Sequence, residues 1–216
     1  MVKKKKAKPP TDTDAEQRIL DAAHAVFVRR GTAGARMQEI ADEAGVNKAL
    51  LHYYFRSKDR LALAVFQRVA GAVFGRIAQV LASGAELEEK VRGIIAIYLD
   101  QFSKTPYAPA YVISEVNLHP ERAGQFLEMI SRTTGAAPVQ MLALLQRQID
   151  QRVRAKTMRE IAADQFFTNL VSLCVFPFAA KPLLCAVLQL DDAGFREYIE
   201  RRKVALPRFY LDALRL

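Results

Sequence analysis

Side chains suited to contacting DNA are concentrated in residues 47–54 of the 216-residue chain. Lys48 and His52 can donate hydrogen bonds to base edges or to phosphates. The apolar Ala49 and Leu50 beside them can meet the methyl groups of thymines. This mixture of donors and small apolar groups is typical of a surface that reads the major groove.

Two adjacent tyrosines extend this pattern. The hydroxyls of Tyr53 and Tyr54 can donate to phosphate oxygens. Aromatic rings on an exposed helical face need a reason, and a DNA backbone supplies one. The alternative is that both rings pack against the helix that follows, and for Tyr54 packing and phosphate contact are compatible.

Two short helices joined by a tight turn position these residues. The apolar spacing predicts one helix over 37–44, which Gly45 ends, and another over 48–54, for which Asn47 is a favourable N-cap. Such a pair matches the helix-turn-helix motif, whose second helix can enter a major groove about 12 Å wide. A longer amphipathic helix over 13–30 precedes the pair.

At this point the sequence resembles a known family. The string IADEAGVNKALLHYYFRSKDRL, residues 40–61, is similar to the signature of the TetR family of bacterial transcriptional repressors. The upstream ILDAAHAVFVRRG resembles the first helix of that family, so the resemblance covers about residues 14–64. The residues that match the signature are Ile40, Ala41, Ala44, Gly45, Val46, Leu51, Tyr54, Phe55, Lys58 and Leu61.

The resemblance implies two further DNA contacts. Lys58 would bind a phosphate at the start of the fourth helix, as a lysine beside a helix N-terminus does, unless it is a solvated surface charge. Arg36 replaces the Thr or Ser that usually begins the second helix; it is a poor cap but can reach a phosphate. The predicted DNA-contacting set is Arg36, Asn47, Lys48, Ala49, Leu50, His52, Tyr53, Tyr54 and Lys58.

Much of the formal net charge of +9 comes from the N-terminus. Residues 1–10 carry five lysines and no acid, whereas residues 11–60 carry eight basic and eight acidic side chains. A like-charged block that ends in two prolines is predicted to be disordered. It is either a solvated solubility tail or a basic arm that lies on phosphates, and the adjacent helix-turn-helix motif favours the arm.

Helical periodicity continues to the end of the chain, and no segment alternates as a strand does. We therefore predict an all-α fold with a basic tail (1–10), a helix-turn-helix domain (11–60) and a helical ligand-binding and dimerisation domain (61–216). After the third helix, the predicted helices are 58–83, 86–103, 106–118, 121–132, 139–154, 158–180 and 195–216.

The helix over 158–180 is apolar on two sides, which implies cover on more than one face. Its partner is either the rest of the same subunit or a second copy around a two-fold axis, and a palindromic operator favours the second copy. The C-terminal helix would be its companion in that interface. The apolar residues on the two sides are Phe166, Leu170, Leu173 and Cys174 on one, and Phe167, Val171, Val175 and Phe178 on the other.

The resemblance also implies a pocket for a small effector in the larger domain. Glu115 lies in the apolar segment YVISEVNL and is a candidate anchor for a cationic effector, unless it is a surface residue. The aromatic and Met residues at helical spacing are alternatively plain core. The predicted pocket residues are Tyr98, Phe102, Tyr111, Glu115, Phe126, Met141 and Phe166.

Several function classes find no support in the sequence. It contains no phosphate-binding loop, no GxSxG or HExxH motif and no Cys/His cluster, so we expect neither an enzyme nor a metal or other cofactor. Cys174 and Cys185 are expected to be buried thiols. The longest uncharged run has 16 residues, whereas a membrane span needs about 20, so we expect a cytoplasmic protein that binds no membrane.

The function predicted from these observations is a DNA-binding transcriptional regulator. We expect a homodimeric repressor that a small-molecule effector releases from a palindromic, double-stranded operator. The alternative is a helix-turn-helix protein whose helical domain responds to a protein partner instead of a small ligand.

Overall fold

The computed structural model of the chain describes residues 12–216, apart from the side chains of residues 12, 13 and 133. Over this range the chain forms eleven α-helices and no strand, which confirms the all-α prediction. The predicted basic tail lies outside the described residues. The helices are α1 (Asp12–Gly34), α2 (Met37–Ala44), α3 (Lys48–Phe55), α4 (Lys58–Ala82), α5 (Leu87–Lys104), α6 (Ala108–Leu118), α7 (Glu121–Thr134), α8 (Pro138–Arg154), α9 (Ala163–Ala179), α10 (Lys181–Leu188) and α11 (Asp192–Leu214).

The chain forms two compact units, one ending at Gln67 and the other beginning at Arg68. This division lies within α4, seven residues beyond the boundary expected from the sequence. The first unit contains α1, α2 and α3. In α1, Gly31 directly follows the predicted helix 13–30 and interrupts the helix with φ 66° and ψ 161°. Apolar residues from all three helices are buried in this unit, among them Ile19, Ala23, Val26, Phe27, Ile40, Leu51 and Phe55.

A chain of aromatic rings forms the centre of the second unit. It begins on α7 and passes through α4 and α5 to α9 and α11, with neighbouring ring centroids between 5.1 and 6.2 Å apart. Helix α5 contacts α8, α9 and α11 and is the most central helix of this core. The rings follow one another in the order Phe126, Phe74, Tyr98, Phe102, Phe178 and Phe195.

The predicted helix over 158–180 is wrong at its start. Residues 158–162 are not helical, because the backbone N–H of Arg159 donates instead to the Leu214 carbonyl at the end of α11, at 2.8 Å. Helix α9 begins at Ala163, whose N–H donates to the side chain of Gln146 in α8 at 2.7 Å. The short helix α10 after it was not predicted as a separate element.

The second apolar side of α9 is partly covered within one subunit. Phe178 is buried in the aromatic core, and Val171 and Val175 are half-buried. The sequence-based preference for a second copy as the cover of this side is therefore wrong for Phe178. Burial raises the pKa of the Cys174 thiol to about 12, whereas Cys185 is only half-buried, contrary to expectation.

Helix α4 is, by length and composition, long enough to cross a membrane. Of its 18-residue apolar window, 44% is buried inside the protein. Helices α9 and α10 pass the same test together, but the chain bends by 75° between them. These helices are weak evidence for a membrane span.

Glu115 is buried and forms an ion pair, which excludes the alternative that it is a surface residue. Its side chain is 2% exposed and lies against the Arg122 guanidinium, which is 6% exposed. The two residues join α6 to α7 across the turn at His119 and Pro120. Arg122 already supplies the positive charge that pairs with Glu115. A cationic effector is therefore not needed to neutralise this carboxylate.

We predict that removing one member of this pair destabilises the protein strongly. Glu115→Ala leaves an uncompensated buried guanidinium, which costs about 3–5 kcal/mol of the free energy of unfolding. Chemical denaturation followed by circular dichroism measures this loss. The double variant Glu115→Leu/Arg122→Met removes both charges and should recover most of it. An unchanged midpoint for Glu115→Ala would contradict the pairing.

Candidate DNA-binding interface and regulatory cleft

The direction of α3 is set by the turn that precedes it. Gly45 ends α2 in the left-handed region with φ 63° and ψ 37°, a conformation that glycine adopts without steric strain. Asn47 then caps α3, because its side-chain oxygen accepts from the Leu50 N–H at 2.7 Å. The turn and the N-cap predicted from the sequence are thus both confirmed. The observed α3 ends at Phe55, one residue beyond the prediction.

Helix α3 has one buried side and one exposed side. Leu51 is fully buried and Phe55 is 7% exposed, so these two residues anchor the helix in its unit. Lys48, His52 and Tyr53 point to solvent, and Tyr53 is 75% exposed. A helix with polar and aromatic side chains projecting from a buried anchor has the form required to enter a DNA groove.

The two tyrosines are in different environments. The rings of Tyr53 and Tyr54 meet edge to face at 5.4 Å, but Tyr54 is half-buried and also lies 6.4 Å from the Phe55 ring. Tyr54 is therefore the less accessible of the two rings, and its packing against α4 stays a prediction. The exposed ring of Tyr53 is the one that has room to lie along a DNA backbone.

The His52 ring is oriented by the end of its own helix. Its Nδ1 lies 3.2 Å from the carbonyl oxygen of Arg56, and a carbonyl can only accept a hydrogen bond. The neutral ring therefore carries its proton on Nδ1, and Nε2 is an acceptor. In this form His52 would accept from the amino group of adenine or cytosine, whereas donation from Nε2 requires the protonated ring.

Ion pairs between α1 and α2 decide which cations in this unit remain available. Arg29 pairs with Glu43 at 2.6 Å, and its hydrogen bond holds the pKa of that carboxyl below its usual value. Arg30 pairs with Glu39 at 2.8 Å. Lys48 is exposed and forms no ion pair within the described residues. Its charge is thus available to a phosphate or a base.

The ends of α2 and α4 hold the other two cations predicted to bind phosphate. Arg36 is exposed at the N-cap of α2 and makes no capping hydrogen bond, as the sequence indicates for a poor cap. The ammonium of Lys58 donates to the carbonyl oxygens of Ala33 at 3.0 Å and Ala35 at 3.3 Å. Lys58 therefore ties the α1–α2 connection to α4, with one N–H left for a further acceptor.

An apolar cleft of about 370 Å³ opens in the second unit between α4, α5, α6 and α9. Ser172 supplies the polar side chain of this lining, which within the described residues contains no charged group. Such a surface suits a neutral, largely apolar molecule. The lining residues are Val69, Ala70, Val73, Phe74, Phe102, Pro109, Val112, Ile113, Val171, Ser172, Val175, Phe176 and Ala179.

Of the predicted pocket residues, Phe102 is the one that lines this cleft. The others are buried elsewhere in the second unit: Tyr98, Tyr111, Glu115, Phe126, Met141 and Phe166. The aromatic and Met side chains among them are buried as core residues, which is the alternative that the sequence left open. The valines of the lining were missed because an apolar side chain at helical spacing gives the same signal in a cleft as in a core.

The titratable side chains in the described part of the chain show no arrangement typical of a metal centre. Within residues 12–216, as far as their side chains are described, no group of three or more His, Cys, Asp or Glu residues could hold a metal ion. The candidate sites therefore remain the exposed side of α3 and the apolar cleft.

Comparisons with known proteins agree with this arrangement. The family model for bacterial regulatory proteins of the tetR family matches residues 19–65, the span that contains α2 and α3. The transcriptional activator FasR of Mycolicibacterium smegmatis is 39% identical over 82 residues, which are 38% of this chain and 37% of that protein. The transcriptional repressor NicS of Pseudomonas putida is 26% identical over 177 residues, 81% of each chain.

The fold itself also has solved counterparts. A TetR family transcription regulator from Marinobacter aquaeolei superimposes with a TM-score of 0.63 and 18% identity, over 94% of this chain and 97% of that one. The same fold thus extends beyond the helix-turn-helix motif. Residues 19–65 thus carry the DNA-binding motif of the tetR family, and the chain is a DNA-binding transcriptional regulator that is similar to members of that family over most of its length.

Proposed function

We propose that this protein is a homodimeric repressor that a small apolar effector releases from a palindromic operator. The observation that carries the proposal is α3, which is anchored by Leu51 and Phe55 and projects Lys48, His52 and Tyr53 into solvent. NicS, the relative aligned over 81% of this chain, is named a repressor. The alignment with the activator FasR covers only 38% of this chain.

An exposed apolar face on α11 supports the homodimer. Val204 is 79% and Phe209 is 63% exposed, and Ala205 lies between them. Two hydrogen bonds join α9 and α11: the Tyr210 hydroxyl donates to the Phe166 carbonyl, and the Arg202 guanidinium donates to the Leu173 carbonyl. The residue numbers of these pairs run in opposite directions, so the two helices are antiparallel. Two copies of this helix pair, related by a two-fold axis, would bury the face in a four-helix bundle and match a palindromic site.

The cleft supports release by an effector. Its valine and phenylalanine walls favour a neutral apolar molecule. A cationic effector is less favoured, because Arg122 already neutralises Glu115. For such a molecule to release DNA, it must bind the DNA-incompetent conformation more tightly, and DNA must weaken its binding by the same factor.

Selection of genomic fragments by the purified protein at about 150 mM salt, followed by sequencing, tests the proposal. The expected result is enrichment of a short palindrome bound by two subunits. Retention of fragments that share no motif would contradict operator recognition. A tight, sequence-specific complex that no small molecule dissociates would favour the alternative in which a protein partner acts on the helical domain.

We predict that Lys48→Ala and His52→Ala lose operator preference as well as affinity. Each lost base contact should cost about 1–3 kcal/mol of discrimination. Titrations of operator and random duplexes measure this, and Arg92→Ala, which removes an exposed cation from α5, is the matched control. Equal losses on both duplexes would show that the two residues contact only the backbone.

Deleting residues 1–10 should weaken binding to all duplexes about equally. These residues carry five lysines, and each phosphate that they neutralise contributes about 0.9 to the slope of log affinity against log salt. The slope of the truncated protein should therefore be less steep by up to about 4.5. An unchanged slope would show that the segment is a solubility tail.

A bulky side chain in the cleft should separate effector response from DNA binding. Val112→Phe narrows the cleft, so operator affinity should persist while neutral apolar compounds no longer raise the melting temperature or dissociate the complex. In the unmodified protein such a compound adds about 2.7 kcal/mol to the free energy of unfolding at a hundred times its Kd. Val139→Phe, at an exposed position of α8, is the matched control. A normal response in Val112→Phe would place the effector elsewhere.

A further inference from the structure

Arg18 of α1 lies against the turn that leads into α3. A Cβ atom placed on Gly45 would be 3.8 Å from the Arg18 Nη1 atom. The two residues are 27 positions apart in the chain, so their proximity comes from the packing of α1 against α2. Arg18 is exposed. A cationic group is thereby placed beside the turn from which α3 begins.

The charge of Arg18 is not offset by an acidic partner. Arg29 and Arg30, the other two arginines of α1, are paired with glutamates of α2. Within the described residues, no hydrogen bond or ion pair engages the Arg18 guanidinium. Asp21, one turn further along α1, accepts a hydrogen bond from Gln17 at 3.2 Å. Among the described residues, Arg18 is therefore the arginine of α1 that has no ion pair.

We propose that Arg18 donates to a backbone phosphate of the DNA on which α3 docks. This inference rests on the proposed DNA binding and adds a residue from a helix outside the helix-turn-helix pair. When a recognition helix enters the major groove, the elements beside its ends come close to the phosphates that border the groove. A guanidinium there presents two parallel N–H groups to phosphate oxygens, and an unpaired one need not first break an ion pair.

The consequence for recognition is a contact without base specificity. A phosphate contact fixes the position of the protein on the duplex and is made with any sequence. Arg18 would hold the Gly45 turn against the backbone, while Lys48 and His52 on the exposed side of α3 face the bases. The two sets of residues thus have separable effects on affinity and on discrimination.

The test is the salt dependence of binding by Arg18→Gln, measured on the operator and on a random duplex. Neutralising one phosphate changes the slope of log affinity against log salt by about 0.9. We expect Arg18→Gln to have a slope less steep by about 1 on both duplexes, with operator preference unchanged. Arg18→Lys should keep the slope. Arg29→Gln is the matched control from the same helix and should leave the slope unchanged, because Arg29 is already paired.

Three results would overturn the inference. A slope for Arg18→Gln equal to that of the unmodified protein would show that no phosphate is bound there. A loss confined to the operator would assign Arg18 to base recognition instead. An unmodified protein that binds no DNA would refute the proposed function and this inference together, whereas the first two results leave the proposed function intact. The unfolding midpoint of Arg18→Gln should not change, since the side chain is exposed and unbonded.

Discussion

The left-handed turn at Gly45 is the constraint on which the DNA-binding unit depends. Helix α2 ends there, and α3 begins three residues later, so a single backbone conformation fixes the direction of the second helix. An L-residue with a Cβ pays about 1–2 kcal/mol to adopt it. Because this turn directs Leu51 and Phe55 inward, it also directs Lys48 and His52 outward. In the proposed mode of binding, the readout of bases would therefore depend on this glycine as much as on the residues that would make the contacts.

Ion pairs within the same unit determine which of its cations are available to DNA. Its basic and acidic side chains balance over residues 11–60, so net charge alone would not attract DNA. The pairing is uneven, however, since Arg29 and Arg30 are held by Glu43 and Glu39. The cations left without such a partner include Arg18 beside the turn and Lys48 on α3. Although residues 11–60 carry no net charge, they can in this way present a positive face to a phosphate backbone.

Local signals made the DNA-binding unit predictable from the sequence. A glycine C-cap and an asparagine N-cap act on their immediate neighbours, which is why α2 was predicted with its observed ends and α3 to within one residue. The contact of Arg18 with the turn could not be predicted, because it depends on how α1 packs against α2.

The regulatory unit was less predictable because its features depend on distant contacts. The segment 158–162 carries no residue that forbids a helix, and it is held in another form by the bond from Arg159 to the end of α11. Periodicity predicted that Tyr98 and Phe166 would face inward but could not distinguish core from cleft. Glu115 was a candidate anchor until the fold placed Arg122 against it.

Methylation interference on the selected operator tests the central claim, that α3 of each subunit lies in a major groove, most directly. Methylation of guanine N7 blocks contacts in the major groove, and methylation of adenine N3 blocks those in the minor groove. The expected result is N7 interference in two symmetric clusters whose centres lie about 10 base pairs apart. Interference at N3 alone, or a single asymmetric cluster, would contradict the docking of two recognition helices.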